Sequence, residues 1–186
     1  LRIAIQELCS VLEETLEHAD VGLRAVSSGV LWNLSMPWDS SRELEVLPLA
    51  PAASRLVADS DRIVRHRAAM AVCQMSHWSA GAKKFLEEDL LEPLLQRVTK
   101  VDGEEDFEIL VPCLLRCLEA PSEENDKVDR LHNEVLSRMP CWLRSERWSS
   151  QACHFALSLS KLASPNQLEN WIALYEQDGL LRSFLK

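Results

Sequence analysis

Apolar residues recur at spacings of three and four along most of the chain, which is the pattern of amphipathic α-helices. The first such segment has its apolar set at Ile5, Leu8, Val11, Leu12 and Leu16. The next has its set at Leu23, Val26, Val30, Leu31 and Leu34, and a helix over about 62 to 76 has Val64, Ala68, Ala71, Val72 and Met75 on one face. Because no convincing run of alternating β-branched residues occurs, the pattern predicts an all-α fold.

Capping residues and prolines set the predicted ends of these helices. Asp20 is a predicted N-cap, and Asp59 or Asp61 is expected to cap the helix over 62–76. Pro48 and Pro51 predict a kink or two short helices between 44 and 57. Further helices are predicted over about 82–87, 90–101, 107–119, 127–138, 149–162, 167–175 and 179–185, with a loop at the acidic stretch 102–106.

A segment repeats along the chain at an interval of 41 residues. SSGVLWNLS (27–35) aligns with AAMAVCQMS (68–76), which places Leu31 on Val72 and Leu34 on Met75. FALSLSKLA (155–163), a further 87 residues on, places Leu159 and Leu162 at the same positions. These six residues are expected in one buried core. The segment between the copies departs from the pattern at Pro112, so irregular structure with long, mobile loops is predicted over 101–146.

The repeat resembles a known family. VLPLAPAASRLVADSDRIVRHRAAMAVCQMSH (46–77) followed by AKKFLEEDLLEPLLQRV (82–98) resembles an armadillo repeat, and GVLWNLS is similar to the third-helix core of armadillo proteins of the catenin and adenomatous-polyposis type. Periods of about 40 to 47 residues are typical of such helical solenoids. The resemblance implies a right-handed α-solenoid of about four repeats in a single domain, 1–186. The expected units are approximately 1–38, 39–80, an irregular 81–123 and 124–186.

Armadillo domains are overwhelmingly non-catalytic and bind extended peptides or partner domains along successive third helices. The resemblance therefore implies a protein–protein interaction scaffold or adaptor rather than an enzyme. Stacking of helical units independently leaves a long surface open for binding. Residues about one position from the core residues are expected to line this groove: Asn33, Gln74, Arg116 and Lys161 in one row, and Val26, Arg67, Ile109 and His154 in another.

Individual groove residues have expected roles. Asn33 falls where armadillo proteins commonly place an Asn that holds the peptide backbone; the alternative is a surface Asn bonded to a neighbouring loop. Arg67 is expected to bind a carboxylate or carbonyl of the partner without touching its own helix's core face. Trp32, between the core and the groove, is either an exposed anchor or a packing residue. Gly29 replaces a Trp frequent in nuclear-import receptors, which counts against an importin-like signal receptor.

Charge and composition narrow the partners. The net charge is −9 and the sequence pI is near 5.1, which disfavours nucleic acid or anionic lipid as the main partner. No run of eighteen apolar residues occurs, so no membrane insertion is expected. No glycine-rich phosphate loop occurs and no cofactor is expected. The alternative to a scaffold is a structural spacer or a self-associating or capping array within a longer chain, since the sequence lacks an initiator Met.

The six cysteines lie mostly in apolar helical stretches, where a thiol acts as a small hydrophobe, and this favours a reducing, cytoplasmic location. Cys113 and Cys117 are one helical turn apart and could ligate zinc with His132 or Cys141. Without a C-x-x-C motif, buried core thiols are the favoured interpretation and no metal is expected. Cys153 and His154, adjacent on a helix, point about 100° apart and cannot pair as nucleophile and base.

Overall fold

A computed structural model describes residues 2–36, 43–98, 104–120, 125–143, 149–163 and 165–177. Over these ranges the regular structure is helical and no strand occurs, so the predicted all-α class is confirmed. The chain divides into two compact units, Leu1–Pro121 and Ser122–Lys186.

The helices of the first unit are α1 Arg2–Leu16, α2 Val21–Ser35, α3 Glu43–Val46, α4 Ala50–Leu56, α5 Arg62–Ser76, α6 Ser79–Glu87, α7 Glu92–Val98 and α8 Glu104–Glu119. A 3-10 turn, Leu47–Leu49, joins α3 to α4, which confirms the predicted interruption between 44 and 57. The second unit contains α9 Asn125–Leu143, α10 Ser149–Leu162 and α11 Pro165–Gln177. The helix predicted over 179–185 lies outside the described residues.

Three helices pack side by side in the first unit: α5 lies between α2 and α8 and contacts both. Helices α1, α4 and α7 pack on α2, α5 and α8, respectively. The core between them includes the fully buried side chains of Leu16, Leu31, Leu49, Met75, Phe85, Leu94, Leu95, Phe107, Leu110 and Leu114. This packing leaves α2, α5 and α8 as neighbours with a shared outer side.

The 41-residue repeat extends to individual hydrogen bonds. Asp20 and Asp61 are the N-caps of α2 and α5, and each carboxylate accepts from the backbone N–H groups two and three residues later, at 2.7–3.1 Å. Arg24 and Arg65 each donate from Nη1 to the carbonyl oxygens five and six residues earlier, at 2.8–3.0 Å. The same turn therefore precedes both helices. In each copy the Asp binds the first N–H groups of the helix, and the Arg binds the carbonyl groups that precede it.

An ion pair joins one copy of this turn to the next. The Arg24 guanidinium donates from Nε to Asp59 Oδ2 at 2.7 Å, and both side chains are largely buried. Burial of the Asp59 carboxyl raises its pKa, but the hydrogen bond from Arg24 and further hydrogen bonds outweigh this and leave the pKa below its ordinary value. The charged pair thus fixes the start of α2 to the turn that precedes α5.

The predicted buried faces of the first two helices are partly wrong. On α1, Ile5, Leu12 and Leu16 are buried, but Leu8 and Val11 are exposed. On α2, Leu23 and Val26 are exposed, while Leu31 is buried together with Ser27, Ser28 and Ser35. Small side chains let α2 lie close to its neighbours. The hydroxyls of Ser28 and Ser35 donate to carbonyls three residues earlier in α2, at 3.0 and 2.7 Å. Ser27 Oγ instead donates to Thr15 Oγ1 of α1 at 2.7 Å.

Within 101–146 the helices predicted over 107–119 and 127–138 are confirmed. The loop predicted over 102–106 is wrong from residue 104 onward, and the mobile loops predicted between these helices lie outside the described residues. Helix α8 begins at Glu104, inside the stretch predicted as a loop, and continues through Pro112 to Glu119. Carboxylates are favourable in the first turn of a helix, and Asp106 is buried against Arg97. The ring of Pro112 removes the hydrogen bond to the Glu108 carbonyl, and α8 continues past this position.

Most of the six repeated core positions are confirmed. Leu31, Val72, Met75 and Leu159 are completely buried. Leu34 is half-buried, and Leu162 is 41% exposed, so its predicted burial is wrong. Leu162 is the last residue of α10, where the helix no longer presents a full turn to a neighbour.

We expect the second unit to become less stable as the pH is lowered, because of His132. The ring is 2% exposed, its Nε2 lies 3.5 Å from the Leu159 carbonyl, and burial lowers its pKa below the ordinary 6.5. The unfolded chain then binds a proton more readily than the folded chain. Stability should be constant well above pH 6.5 and decrease as pH falls below it.

Thermal unfolding followed by circular dichroism between pH 7.5 and 5.5 measures this effect. The His132→Leu variant, which cannot titrate, should lose less stability over that range than the wild type. The His77→Ala control removes an exposed histidine from the first unit and leaves His132 in place. Equal pH dependence in the His132→Leu variant and the wild type would rule out this role for His132.

Candidate functional site

An exposed surface runs across α2, α5 and α8. Each helix contributes two positions seven residues apart, and such positions lie on one side of a helix. We call this surface the α2–α5–α8 face. Its positions are Val26 and Asn33 on α2, Arg67 and Gln74 on α5, and Ile109 and Arg116 on α8, and all six are at least partly exposed.

Arg67 bridges two helices of this face. Its guanidinium Nη1 donates a hydrogen bond to the carbonyl of Ala25 on α2. A Cβ atom on Gly29 would lie 3.3 Å from the same Nη1, so the missing side chain at Gly29 leaves the room that the guanidinium uses. The half-buried Arg67 side chain therefore also joins α5 to α2, and its predicted contact with a partner stays a prediction.

Arg116 repeats this arrangement one helix further on. Its Nη1 lies 3.3 Å from Ser76 Oγ and 3.7 Å from Cys73 Sγ, both on α5. Arg67 of α5 thus contacts α2, and Arg116 of α8 contacts α5, so each arginine binds the preceding helix of the face. A long side chain on the outer side of a helix can cover its neighbour in this way while part of the guanidinium stays accessible. Both arginines consequently stabilise the face on which they lie.

Truncating Arg67 should destabilise the first unit. Hydrogen bonds to charged groups contribute about 1.5–3 kcal/mol, so we expect Arg67→Ala to lower the free energy of unfolding by about that amount. Arg55→Ala is the control, because its ion pair with Glu17 is exposed on both sides and such pairs contribute about 0–1 kcal/mol. Urea denaturation measures both. A loss for Arg67→Ala no larger than that for Arg55→Ala would contradict the bridging role.

Trp32 and Asn33 occupy different environments although they are adjacent. Asn33 is exposed, as the groove assignment requires. Trp32 is half-buried, and its indole N–H is buried with no hydrogen-bond partner. The polar end of the Trp32 ring therefore points inward, which favours the packing interpretation over that of an exposed anchor. Gln74, one repeat after Asn33, is half-buried on α5.

Two large apolar side chains add to the face. Val26 is 65% exposed and Ile63, one turn before Arg67 on α5, is 55% exposed. Sequence reasoning missed Ile63 as a surface residue. The sequence did contain a signal that Ile63 is exposed, because it is adjacent to Val64. Since Val64 is in the core face of α5, Ile63 lies about 100° away from that face. These two residues give the N-terminal halves of α2 and α5 an apolar outer surface.

The remaining predicted groove residues either lie in the second unit or have side chains outside the described residues. Lys161 is exposed on α10, in the second unit. His154 is in α10, but its side chain lies outside the described residues, as do those of Cys141 and Cys153. The structure therefore brings together Val26, Asn33, Arg67, Gln74, Ile109 and Arg116 on adjacent helices of the first unit, with Trp32 partly beneath them.

Two thiols of the first unit lie in its core. Cys113 and Cys117 are completely buried, one turn apart in α8. A hydrogen bond between them lowers the pKa of Cys113 and raises that of Cys117.

Among the described residues, no three His, Cys, Asp or Glu side chains are grouped so that they could hold a metal ion. No helix in the described part of the chain is long and apolar enough to cross a membrane.

Comparisons with known proteins concern the fold alone. No protein-family model matches the sequence, and no curated protein matches it. The structure is similar to the crystal structure of an engineered protein from the Northeast Structural Genomics Consortium, with a TM-score of 0.69 and 13% sequence identity. The match covers 91% of this chain and 67% of the engineered protein.

Proposed function

We propose that this chain is a non-catalytic scaffold or adaptor whose α2–α5–α8 face binds an extended peptide or a partner domain. The observation that carries this proposal is the alignment of paired, partly exposed positions on three helices that pack side by side. A peptide that crosses the helices would meet an equivalent position at each helix, about 8–10 Å from the last.

We propose an armadillo-type, right-handed solenoid as the architecture that presents this face. Two features support it: the repetition of the Asp caps and Arg bonds at α2 and α5, 41 residues apart, and the packing of α1, α4 and α7 behind the three helices of the face. In such a stack every unit contributes one outer helix to a continuous binding surface.

The residues of the face suit the two parts of an extended peptide. A side-chain amide donates and accepts hydrogen bonds at once, as a peptide group does, so Asn33 and Gln74 can hold a main chain. Val26 and Ile63, at the other end of the same helices, can cover apolar side chains of the partner. Arg67 and Arg116 keep the helices in register and offer their remaining N–H groups to carbonyl or carboxylate oxygens.

Removing the two amides should weaken binding more than tenfold. Peptides selected from a displayed random library on the full chain would be titrated against the Asn33→Ala/Gln74→Ala variant by fluorescence anisotropy. Loss of hydrogen bonds buried in the complex at two positions costs about 0.5–1.5 kcal/mol each, and more if partner groups stay unpaired. The expected result is a rise in Kd for this variant.

Gln96→Ala is the matched control. It removes an exposed amide from α7, where Gln96 Nε2 donates to Glu92 Oε1 at 2.7 Å, away from the proposed face. Its Kd should equal that of the wild type. If the double variant binds the selected peptides as tightly as the control does, the α2–α5–α8 face is not the binding surface.

A further inference from the structure

Charge is distributed unevenly between the α2–α5–α8 face and the helices behind it. Helices α2 and α5 have 15 residues each, and together they contain four arginines and no aspartate or glutamate. Helix α1, which packs behind α2, contains three glutamates, and the whole chain has a net charge of −9. On α8 the exposed Glu108 lies eight residues before Arg116, which is about 12 Å along the axis. The α2 and α5 part of the face is therefore cationic although the protein is acidic.

The two arginines of the face differ from other arginines of the first unit in the groups that they bind. The largely buried Arg24 and Arg97 each donate to a carboxylate of this chain. Arg67 and Arg116 are half-buried, and their partners are uncharged: a backbone carbonyl of α2, and a hydroxyl and a thiol of α5. Among the described residues, no carboxylate pairs with either guanidinium. Both can therefore form charge-assisted hydrogen bonds with an anionic group of a partner.

The two guanidiniums contact different turns of their neighbouring helices. Arg67 binds α2 at Ala25, and the equivalent position on α5, 41 residues later, is His66. Arg116 binds α5 near Cys73, seven residues after His66, which is about 10 Å along the axis. Since neighbouring helices lie about 8–10 Å apart, the two guanidiniums are about 14 Å from each other. An extended peptide advances about 3.3 Å per residue, so about four residues span this distance.

We propose that the α2–α5–α8 face selects acidic peptides, in which two carboxylates about four residues apart bind Arg67 and Arg116. This inference rests on the function proposed above, in which Asn33 and Gln74 bind the main chain of the same peptide. The two carboxylates would determine which peptides bind and in which register. Attraction by the net charge of −9 would favour basic peptides instead. A preference for acidic peptides can therefore only come from the local charge of the face.

Selection from a displayed random peptide library on the full chain tests the class of peptide. Among the selected sequences, aspartate and glutamate should be enriched over lysine and arginine. Pairs of acidic residues about four positions apart should be more frequent than adjacent pairs. In a selected peptide, replacement of either acidic residue by its amide should weaken binding about fivefold in fluorescence anisotropy. These replacements leave the protein unchanged, so their effect cannot come from misfolding.

Protein variants assign the carboxylates to the two arginines. In Arg67→Gln/Arg116→Gln, the acidic peptide and its amide form should bind with equal Kd, because no guanidinium remains to distinguish them. Arg55→Gln is the matched control, since it removes an arginine whose ion pair with Glu17 is exposed on α4, behind the face. This control should retain the full preference for the acidic peptide. Circular dichroism of each variant verifies that it is folded.

The outcomes separate this inference from the proposed function. Selected peptides without acidic enrichment that still lose affinity for Asn33→Ala/Gln74→Ala would overturn the charge preference and leave the binding face in place. An undiminished preference for the acidic peptide in Arg67→Gln/Arg116→Gln would also overturn it. Selected peptides that bind Asn33→Ala/Gln74→Ala as tightly as Gln96→Ala would contradict the proposed function, and this inference with it.

Discussion

Arg97→Ala is expected to lower the free energy of unfolding of the first unit by about 3–5 kcal/mol, the usual cost of removing one partner from a buried ion pair. Arg97 Nε donates to Asp106 Oδ2 at 2.6 Å, and the two side chains are 4% and 7% exposed. Without the guanidinium, the Asp106 carboxylate stays in an apolar interior between α7 and α8 with its charge uncompensated. Urea denaturation followed by circular dichroism measures the loss.

An apolar replacement of both partners separates the cost of the orphaned charge from that of the lost contact. Arg97→Met/Asp106→Leu fills similar volume without a charge and should recover most of the stability that Arg97→Ala loses. Lys83→Ala removes a cation from an exposed pair with Glu87 and should change stability by less than about 1 kcal/mol. A cost of less than 1 kcal/mol for Arg97→Ala would show that water reaches the pair.

Gly81→Ala should also destabilise the first unit strongly, although alanine is the better helix former by about 1 kcal/mol. A Cβ atom at Gly81 would lie 2.0 Å from the Met75 carbonyl oxygen, where the end of α5 meets α6. This oxygen is part of the backbone, so relief of the clash requires α5 and α6 to separate. Overpacking of a buried site costs about 1–3 kcal/mol or more, and the melting temperature should fall accordingly.

Gly29→Ala is the matched control for this substitution. A Cβ atom at Gly29 would meet the Arg67 guanidinium at 3.3 Å, and the end of a long side chain can move by a few tenths of an ångström. Gly29→Ala should therefore stay within about 1 kcal/mol of the wild type. If the two alanine variants melt at the same temperature, the contact of α6 with the end of α5 is looser than described.

The sequence was most informative where local signals and tertiary packing agree. For α5 both ends and all five core residues were predicted, and the structure decides the N-cap, predicted as Asp59 or Asp61, in favour of Asp61. For α1 and α2 periodicity identified the helices but not the covered face. A helix can carry two apolar stripes, and neighbours decide which one is buried, as Leu8 and Val11 show.

The candidate site was predicted as a set of positions rather than as a set of contacts. The repeat placed Gln74 at the position that corresponds to Asn33, and Arg67 at the position that corresponds to Val26, which requires only the period. It could not show that Arg67 bonds to the Ala25 carbonyl, because the reach of a guanidinium depends on the spacing of two helices. Helix α8 was predicted to begin at Phe107 rather than at Glu104, because composition was weighed without the buried partner of Asp106.

Site-specific photo-cross-linking tests the proposed binding face most directly. A benzophenone amino acid would replace Asn33, Gln74 or, as the control, Gln96 in the full chain, and each protein would be irradiated with a library-selected peptide. The account predicts cross-links to the peptide from positions 33 and 74 and none from position 96. Cross-links from position 96 but from neither 33 nor 74 would contradict it and move the binding surface away from α2, α5 and α8.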